Sequence, residues 1–113
     1  MTLNIAIAGA GGRMGRMLIS AVAESELCTL SGALEYDGSP LVGQDAGLLV
    51  GNDTSGILVS AERADAFSGA DVIIDFTLPA ATLENMQAAR DIGAAVVLGT
   101  TGHTDAQEEV ILG

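Results

Sequence analysis

The chain has 113 residues, 49% of them apolar, which favours one globular domain with its own core and excludes a disordered chain. Fifteen acidic residues against four arginines and no lysine give a net charge of −11, which disfavours binding to nucleic acid or to an anionic membrane. No stretch approaches the roughly 20 apolar residues of a membrane helix, no basic signal-peptide start is present and Cys28 stands alone, so we expect a cytoplasmic protein without a disulfide or metal site.

The first element is an apolar strand, Leu3–Ala8, that runs into a glycine-rich turn and then into an amphipathic segment. The turn consists of Gly9, Ala10, Gly11, Gly12, Arg13, Met14 and Gly15. Glycines lack the Cβ atoms that would keep a phosphate away from backbone N–H groups, and the N-terminus of the following helix adds partial positive charge. The order strand, glycine turn and helix therefore predicts a site for the pyrophosphate of a dinucleotide.

The segment after the turn has the spacing of an amphipathic helix. Its apolar residues, at i, i+3, i+4, i+7 and i+8, are Met14, Met17, Leu18, Ala21 and Val22, and we predict that they form the buried face. Two of the four arginines, Arg13 and Arg16, lie on the other side. They are either ordinary solvated helix residues or positive charge placed where a cofactor phosphate would arrive.

A second apolar run, residues 27–34, is predicted to be a strand and ends on Glu35. Glu35 follows the glycine turn by about 20 residues, the position at which a dinucleotide site places an acidic side chain for the adenosine ribose hydroxyls. The alternative is a structural turn followed by a solvated glutamate.

Residues 36–56 are rich in glycine and predict a long mobile loop, which residues 48–50 would pin at its middle. A short strand over 57–59, a short helix over 61–67 and a buried strand over 71–76 follow. The next helix begins at Pro79 and ends at Gly93. Its predicted inward residues are Leu83, Met86, Ala89 and Ile92.

The last predicted strand, residues 94–98, is buried and ends in the sequence Gly99-Thr100-Thr101-Gly102. Thr104 and Gln107 match a capping box that would open a final helix.

The alternation of strands and helices predicts a Rossmann-type α/β fold, a doubly wound parallel sheet of strand order 3-2-1-4-5 with helices on both faces. The ligand of such a sheet lies beyond the carboxyl ends of the strands, at the switch point between strands 1 and 4. The strand ends Gly9, Glu35, residues 75–77 and residues 99–101 should therefore converge on one rim.

Five motifs together resemble dihydrodipicolinate reductase, a family of the diaminopimelate route to lysine. They are residues 9–15, Ala33-Leu34-Glu35, Asp45-Ala46-Gly47, Ile74-Asp75-Phe76-Thr77 and Gly99-Thr100-Thr101-Gly102. The resemblance covers the whole chain but only the amino-terminal half of that enzyme. It implies an oxidoreductase that reduces 4-hydroxy-tetrahydrodipicolinate with NADH, NADPH or both.

The resemblance also implies roles for individual residues. Gly9 to Met14 would hold the pyrophosphate, Glu35 the adenosine ribose, and Gly99, Thr100 and Thr101 the nicotinamide side of the cofactor. Phe76 would lie near that side, although a core aromatic is the other interpretation, and Asp75 is read as a structural carboxylate at a strand end.

The chain departs from the family in two respects. The family's histidine pair, lysine and substrate-carboxylate loop do not occur in it, and His103 is read as a surface turn residue. We therefore expect residues 1–113 to be a dinucleotide-binding domain that is inactive alone, with a further substrate and oligomerisation domain in the complete, homo-oligomeric enzyme. Tyr36 stands where some members have an arginine for the 2′-phosphate of NADP, so we expect NADH to bind at least as well as NADPH. The alternative function is a non-catalytic dinucleotide-binding or redox-sensing module.

Overall fold

The computed structural model describes residues 3–77 and 79–98, in which strands and helices alternate. Their bounds are β1 (Leu3–Ala8), α1 (Arg13–Glu24), β2 (Cys28–Leu34), α2 (Ala46–Leu49), β3 (Val59–Ser60), α3 (Arg63–Ala66), β4 (Val72–Asp75), α4 (Pro79–Ile92) and β5 (Ala95–Leu98). The predicted final helix, the motif at residues 99–102 and His103 lie outside the described residues. Within the described part of the chain, no helix is both long enough and apolar enough to cross a membrane.

The five strands form one parallel sheet in the order β3-β2-β1-β4-β5, which confirms the predicted Rossmann-type topology. Ala8, the last residue of β1, pairs with Leu34 of β2 on one side and with Asp75 of β4 on the other. The carboxyl ends of these three strands are therefore level. They form the rim at which a doubly wound sheet binds its ligand.

The core lies on both faces of the sheet because alternate residues of a strand point to opposite sides. On one face, Ile5 and Ile7 of β1 pack in a cluster with Ile19 and Val22 of α1. The buried cluster on the other face contains five alanines and three larger apolar residues, namely Ala6, Ala8, Leu34, Ala66, Phe67, Ala70, Ile73 and Ala89. The helices therefore cover the two faces as predicted, with α1 on one and α3 and α4 on the other.

The predicted buried face of α1 is wrong in part, since Val22 is buried and Leu18 packs against the core but the two methionines do not. Met14 and Met17 are 51% and 60% exposed, and the buried residues are Gly15, Ile19 and Val22. The reason lies at Gly15, where a Cβ would stand 2.2 Å from the carbonyl oxygen of Gly9. The helix backbone therefore rests directly on the turn at Gly15, and this contact turns both methionines toward solvent.

The predicted inward face of α4 is also wrong in part. Leu83 and Ile92 are exposed, whereas Thr82 and Asn85 are buried beside Ala89. Polar side chains face the sheet here because the buried carboxylate of β4 requires hydrogen-bond donors, which are described below.

The strand β5 is less buried than predicted. Its residues alternate between exposed and half-buried, and Val97 is among the exposed apolar residues. The strand is at the edge of the sheet, so only one of its sides is paired with another described strand.

The segment from residue 36 to residue 56 contains a short helix, α2, at its middle. Leu49 and Val50 pack against the core as expected, while Leu48 is exposed. Asp45 precedes α2 and accepts hydrogen bonds from the backbone N–H groups of Gly47 at 2.7 Å and Ser55 at 2.9 Å. This carboxylate therefore ties both ends of the segment 45–56 together.

Candidate functional site

At two positions of the glycine turn after β1, the structure leaves no room for a residue with a Cβ. Gly9 has a φ of +82°, which disfavours residues with a Cβ. A Cβ there would also lie 3.1 Å from the backbone carbonyl of Phe76, so the turn closely approaches the end of β4. Gly15 provides the helix-to-turn contact described above. Tight turning at the first glycine and close helix packing at the last are the features that the dinucleotide-binding turn requires.

The position Gly12 is open, in contrast to Gly9 and Gly15. A Cβ at Gly12 would meet a single neighbour, the Gly9 carbonyl oxygen at 3.5 Å, which is ordinary contact. Gly12 is also the N-cap of the 12-residue helix α1, and neither a side-chain cap nor an acidic residue occupies the first turn. The first N–H groups of a helix lack helical partners, so this end of α1 presents donors and partial positive charge to an anion.

The carboxylate of Glu35 lies against the glycine turn. Its Oε1 accepts a hydrogen bond from the backbone N–H of Gly11 at 2.6 Å, and its Oε2 is 3.4 Å from the backbone nitrogen of Tyr36. A Cβ on Gly11 would stand 2.3 Å from Cδ1 of Leu41 and 3.0 Å from Oε1 of Glu35. The absence of a side chain at Gly11 therefore lets the acid at the end of β2 reach the turn after β1.

A cleft of about 840 Å³ opens along the carboxyl edge of the sheet, beside the glycine turn and Glu35. It is lined by Gly9, Gly11, Gly12, Arg16, Leu34, Glu35, Tyr36, Asp37, Ser39, Pro40, Leu41, Ala61, Arg63, Phe76, Thr77 and Ala81. The volume is of the size that small-molecule and cofactor sites occupy. Arginine and acidic side chains both reach the lining, so the cleft offers cations and hydrogen-bond acceptors together.

At the end of β4, the fully buried carboxylate of Asp75 is satisfied by its neighbours. Its Oδ1 accepts hydrogen bonds from the backbone N–H of Thr77 at 2.7 Å and from the Thr77 hydroxyl at 2.6 Å. Its Oδ2 accepts from Nδ2 of Asn85 at 3.2 Å. These contacts fix the backbone that follows β4, where Phe76 lines the cleft.

The predicted site residues differ in whether they line the cleft. Gly9, Gly11, Gly12 and Glu35 line the cleft. Ala10 is fully buried behind the turn, and the exposed side chains of Arg13 and Met14 are not part of the described lining. The remaining predicted residues, Gly99, Thr100 and Thr101, lie outside the described residues.

Sequence reasoning missed two charged residues of the cleft, Asp37 and Arg63. This arginine opens α3 and lies beyond the predicted motifs, in a helix of four residues with no recognisable pattern. Its side chain donates from Nε to Oδ1 of Asn85 at 2.6 Å and forms an ion pair with Glu84 at 3.0 Å. Only the fold brings it to the rim. Among the described residues, no group of three or more His, Cys, Asp or Glu side chains could hold a metal ion.

The sequence matches the family model described as dihydrodipicolinate reductase, N-terminus, over residues 3–112. The chain is 53% identical over 104 residues to the 4-hydroxy-tetrahydrodipicolinate reductase of Cupriavidus taiwanensis, covering 92% of this chain and 39% of that protein. It is 42% identical over 109 residues to the reductase of the same name from Nitrosomonas europaea, covering 96% of this chain and 40% of that protein. The chain thus spans about 40% of the length of the curated relatives it matches.

Solved structures show the same fold. A dipicolinate-bound dihydrodipicolinate reductase from Paenisporosarcina sp. TG-14 superposes with a TM-score of 0.74 at 23% identity, over 98% of this chain and 42% of that one. An aspartate semialdehyde dehydrogenase with NADP from Candida albicans gives 0.69 at 14% identity, over 89% of this chain and 30% of that one. The family match covers nearly the whole sequence, and the chain therefore belongs to the dihydrodipicolinate reductase family.

Proposed function

We propose that this member of the dihydrodipicolinate reductase family binds NADH or NADPH for an enzyme that reduces 4-hydroxy-tetrahydrodipicolinate to tetrahydrodipicolinate. The reaction would serve the diaminopimelate route to lysine in the cytoplasm. One observation carries the proposal: a single cleft brings together the uncapped N-terminus of α1, the open position Gly12 and the carboxylate of Glu35. An anion site next to an acceptor for ribose hydroxyls matches the two polar parts of a dinucleotide.

In this proposal the pyrophosphate lies on the backbone of the glycine turn, from Gly9 to Met14. Gly12 has the space that a phosphate oxygen requires, and the first N–H groups of α1 donate hydrogen bonds. Arg13 and Met14 then take part through their backbone, since their side chains are exposed outside the described lining. Ala10 supports the turn from behind.

Glu35 accepts hydrogen bonds from the hydroxyls of the adenosine ribose. Its carboxylate already stands beside the turn, where the Gly11 N–H holds it, so few side-chain rotamers are lost on binding. Gly99, Thr100 and Thr101, which follow β5 in the sequence, are proposed for the nicotinamide side of the cofactor.

The bound dinucleotide would supply a hydride, while the protein positions it and excludes competing reactions. The chain has no lysine and one histidine, His103, so we assign no catalytic residue within it. The groups that hold and protonate the substrate would belong to the part of the relatives that this chain does not span, together with the surfaces that form a homo-oligomer.

The chain alone should therefore show no useful turnover in an assay of cofactor absorbance, and turnover near that of a complete reductase would contradict this assignment.

The variant Gly12→Val tests the binding proposal by calorimetric titration of the folded chain with NADH. A Cβ at position 12 meets no described atom closer than 3.5 Å, so we expect the valine to be compatible with the fold and to occupy space that the proposed phosphate requires. We expect an affinity at least about tenfold weaker, or roughly 1.4 kcal/mol. The control Ala21→Val adds the same side chain at an exposed position of α1, and it should bind like the wild type. Unchanged affinity in Gly12→Val would remove the pyrophosphate site from this turn.

A further inference from the structure

Arg63 is held at two points of its guanidinium group. Nε donates to Oδ1 of Asn85 at 2.6 Å, and Nη2 pairs with the carboxylate of Glu84 at 3.0 Å. The side chain is 33% exposed and lines the cleft. These two contacts involve Nε and Nη2, and neither of them uses Nη1.

The partner that orients Arg63 is itself fixed. Asn85 is fully buried, and its Nδ2 donates to Oδ2 of Asp75 and to the hydroxyl of Thr77, each at 3.2 Å. Because the amide nitrogen faces these two acceptors, the amide oxygen must face Arg63. A continuous chain of hydrogen bonds thus runs from the buried end of β4 to a cation in the wall of the cleft.

The position of Arg63 along the cleft indicates which part of a dinucleotide it would meet. With the pyrophosphate on the glycine turn and the ribose at Glu35, the base extends to the end of the cleft away from the turn. In the strand order, the end of β3 lies beyond the end of β2, so Ala61 and Arg63 stand on the far side of Glu35 from the glycine turn. Ala81 lines the same cleft. Two small apolar side chains and one planar cation form a suitable wall for a flat aromatic ring.

We propose that Arg63 is a binding residue for the adenine base, which it contacts through the face and the remaining N–H groups of its guanidinium. This inference rests on the dinucleotide-binding function proposed above. A 2′-phosphate is the other group that an arginine could take. The ion pair with Glu84 argues against it, because the charge of Arg63 is already compensated and a second anion would be repelled by Glu84.

The test is a set of titrations of the wild-type chain and Arg63→Ala with NADH, NADPH and AMP. Loss of a cation stacked on an aromatic ring corresponds to an affinity about fivefold weaker. We expect this factor for all three ligands alike, since all contain adenine, with no change in the ratio of NADPH to NADH affinity. Arg63→Lys keeps the charge but loses the planar group. Its free energy of binding should therefore lie closer to that of Arg63→Ala than to that of the wild type.

Arg90→Ala is the matched control, because Arg90 is an exposed arginine of α4 outside the described lining of the cleft. It should bind all three ligands like the wild type. Thermal unfolding of each variant verifies that it is folded at the titration temperature. A loss confined to NADPH would assign Arg63 to the phosphate, and unchanged affinities would remove it from the site. Either result overturns the inference but leaves the proposed function standing, whereas a folded wild-type chain that binds none of the ligands overturns the proposed function itself.

Discussion

Glu35 and Gly11 are joined by a 2.6 Å hydrogen bond from the backbone N–H of the glycine to Oε1 of the carboxylate, which links the end of β2 to the turn after β1. Glycine at position 11 favours this contact, because a Cβ there would clash with Leu41 and stand only 3.0 Å from the same oxygen. The two sequence features that separately predicted a dinucleotide are therefore one structural unit. The hydrogen bond to the Gly11 N–H orders the Glu35 side chain beside the turn, which reduces the cost of ordering it on binding.

Replacing Glu35 with alanine should weaken NADH binding by at least about tenfold. The change removes the charged acceptor for the ribose hydroxyls and also the contact that holds the turn, and hydrogen bonds to charged groups contribute about 1.5–3 kcal/mol. Calorimetric titration measures the effect. Glu26→Ala, at an exposed position outside the described cleft, is the control for the change in net charge. Equal affinities for Glu35→Ala and the control would contradict a role of Glu35 in binding.

Gly15→Ala should lower the free energy of unfolding, while Gly12→Ala should leave it nearly unchanged. The new Cβ at position 15 would meet the Gly9 carbonyl oxygen at 2.2 Å and Ala10 at 2.9 Å, whereas position 12 has room. Overpacking of this kind costs about 1–3 kcal/mol. Urea denaturation followed by circular dichroism compares the two variants. Similar midpoints for both would show that α1 does not rest on the turn at Gly15.

Replacing Asn85 with leucine should destabilise the fold by about 1–3 kcal/mol, because buried polar groups lose their hydrogen-bond partners. The carboxylate of Asp75 loses one of its donors, and Arg63 loses the acceptor of its Nε. The control is Gln87→Leu in the same helix, where an exposed hydrogen bond to Asp91 is removed. That variant should unfold within about 0.5 kcal/mol of the wild type. A leucine at position 85 without effect on the denaturation midpoint would mean that the buried network does not stabilise the chain.

Asp45 makes stability depend on pH in the acid range. The backbone N–H of Ser55, with those of Gly56, Gly47 and Leu48, lowers the pKa of this carboxyl from 3.8 to about 2. A group whose pKa is lower in the folded state stabilises the fold fully above its unfolded pKa, and this contribution is lost as the pH falls. The stabilisation should therefore be complete above about pH 4 and disappear toward pH 2.

Asp45→Asn tests this dependence by thermal unfolding between pH 7 and pH 2. The variant should be less stable than the wild type at pH 7, and the two should converge as the pH falls from 4 to 2. The convergence separates the charge of Asp45 from its shape, since asparagine retains an acceptor oxygen at the same position. A difference in melting temperature that stays constant down to pH 2 would show that the carboxylate is not charged in these hydrogen bonds.

The sequence predicted the topology because its signals are local and agree with one another. Strand-forming runs at β1, β2 and β4, glycine at the first turn and Pro79 at the start of α4 each depend on neighbouring residues alone. The strand order then follows from the rule that parallel crossovers are right-handed. The acidic residue at the end of β2 was found in the same way, since its distance from the glycine turn is read directly from the chain.

The faces of α1 and α4 were predicted only in part, because tertiary contacts override hydrophobic periodicity. Met14 and Met17 have the spacing of a buried stripe, but the contact of Gly15 with the turn sets the rotation of the helix. In α4, Asn85 faces the sheet in place of Leu83 because it donates a hydrogen bond to the buried carboxylate of Asp75. Both errors arise from contacts that each helix makes with residues outside itself, which a periodicity analysis does not contain.

NADH should bind at least as well as NADPH. A 2′-phosphate would bring nearly two negative charges beside Glu35, in a chain whose net charge is −11. Tyr36, the next residue, is 68% exposed and lines the cleft, so it can stack on the adenine or donate one hydrogen bond. It cannot form the bidentate charged contact that an arginine would give.

The cleft contains one further arginine that could offset this disadvantage, Arg16, whose Nε donates to the carbonyl oxygen of Gly11 at 2.9 Å. That contact places the guanidinium beside the proposed phosphate region, with its Nη groups still able to pair with an anion. Titrations with NADH and NADPH at low and at physiological salt show which cofactor binds more tightly. They also show whether a charged contact contributes to binding, because such a contact weakens as salt rises. Tyr36→Arg should shift the preference toward NADPH. A clear NADPH preference in the wild type that disappears in Arg16→Ala would contradict the prediction and identify Arg16 as the residue that binds the 2′-phosphate.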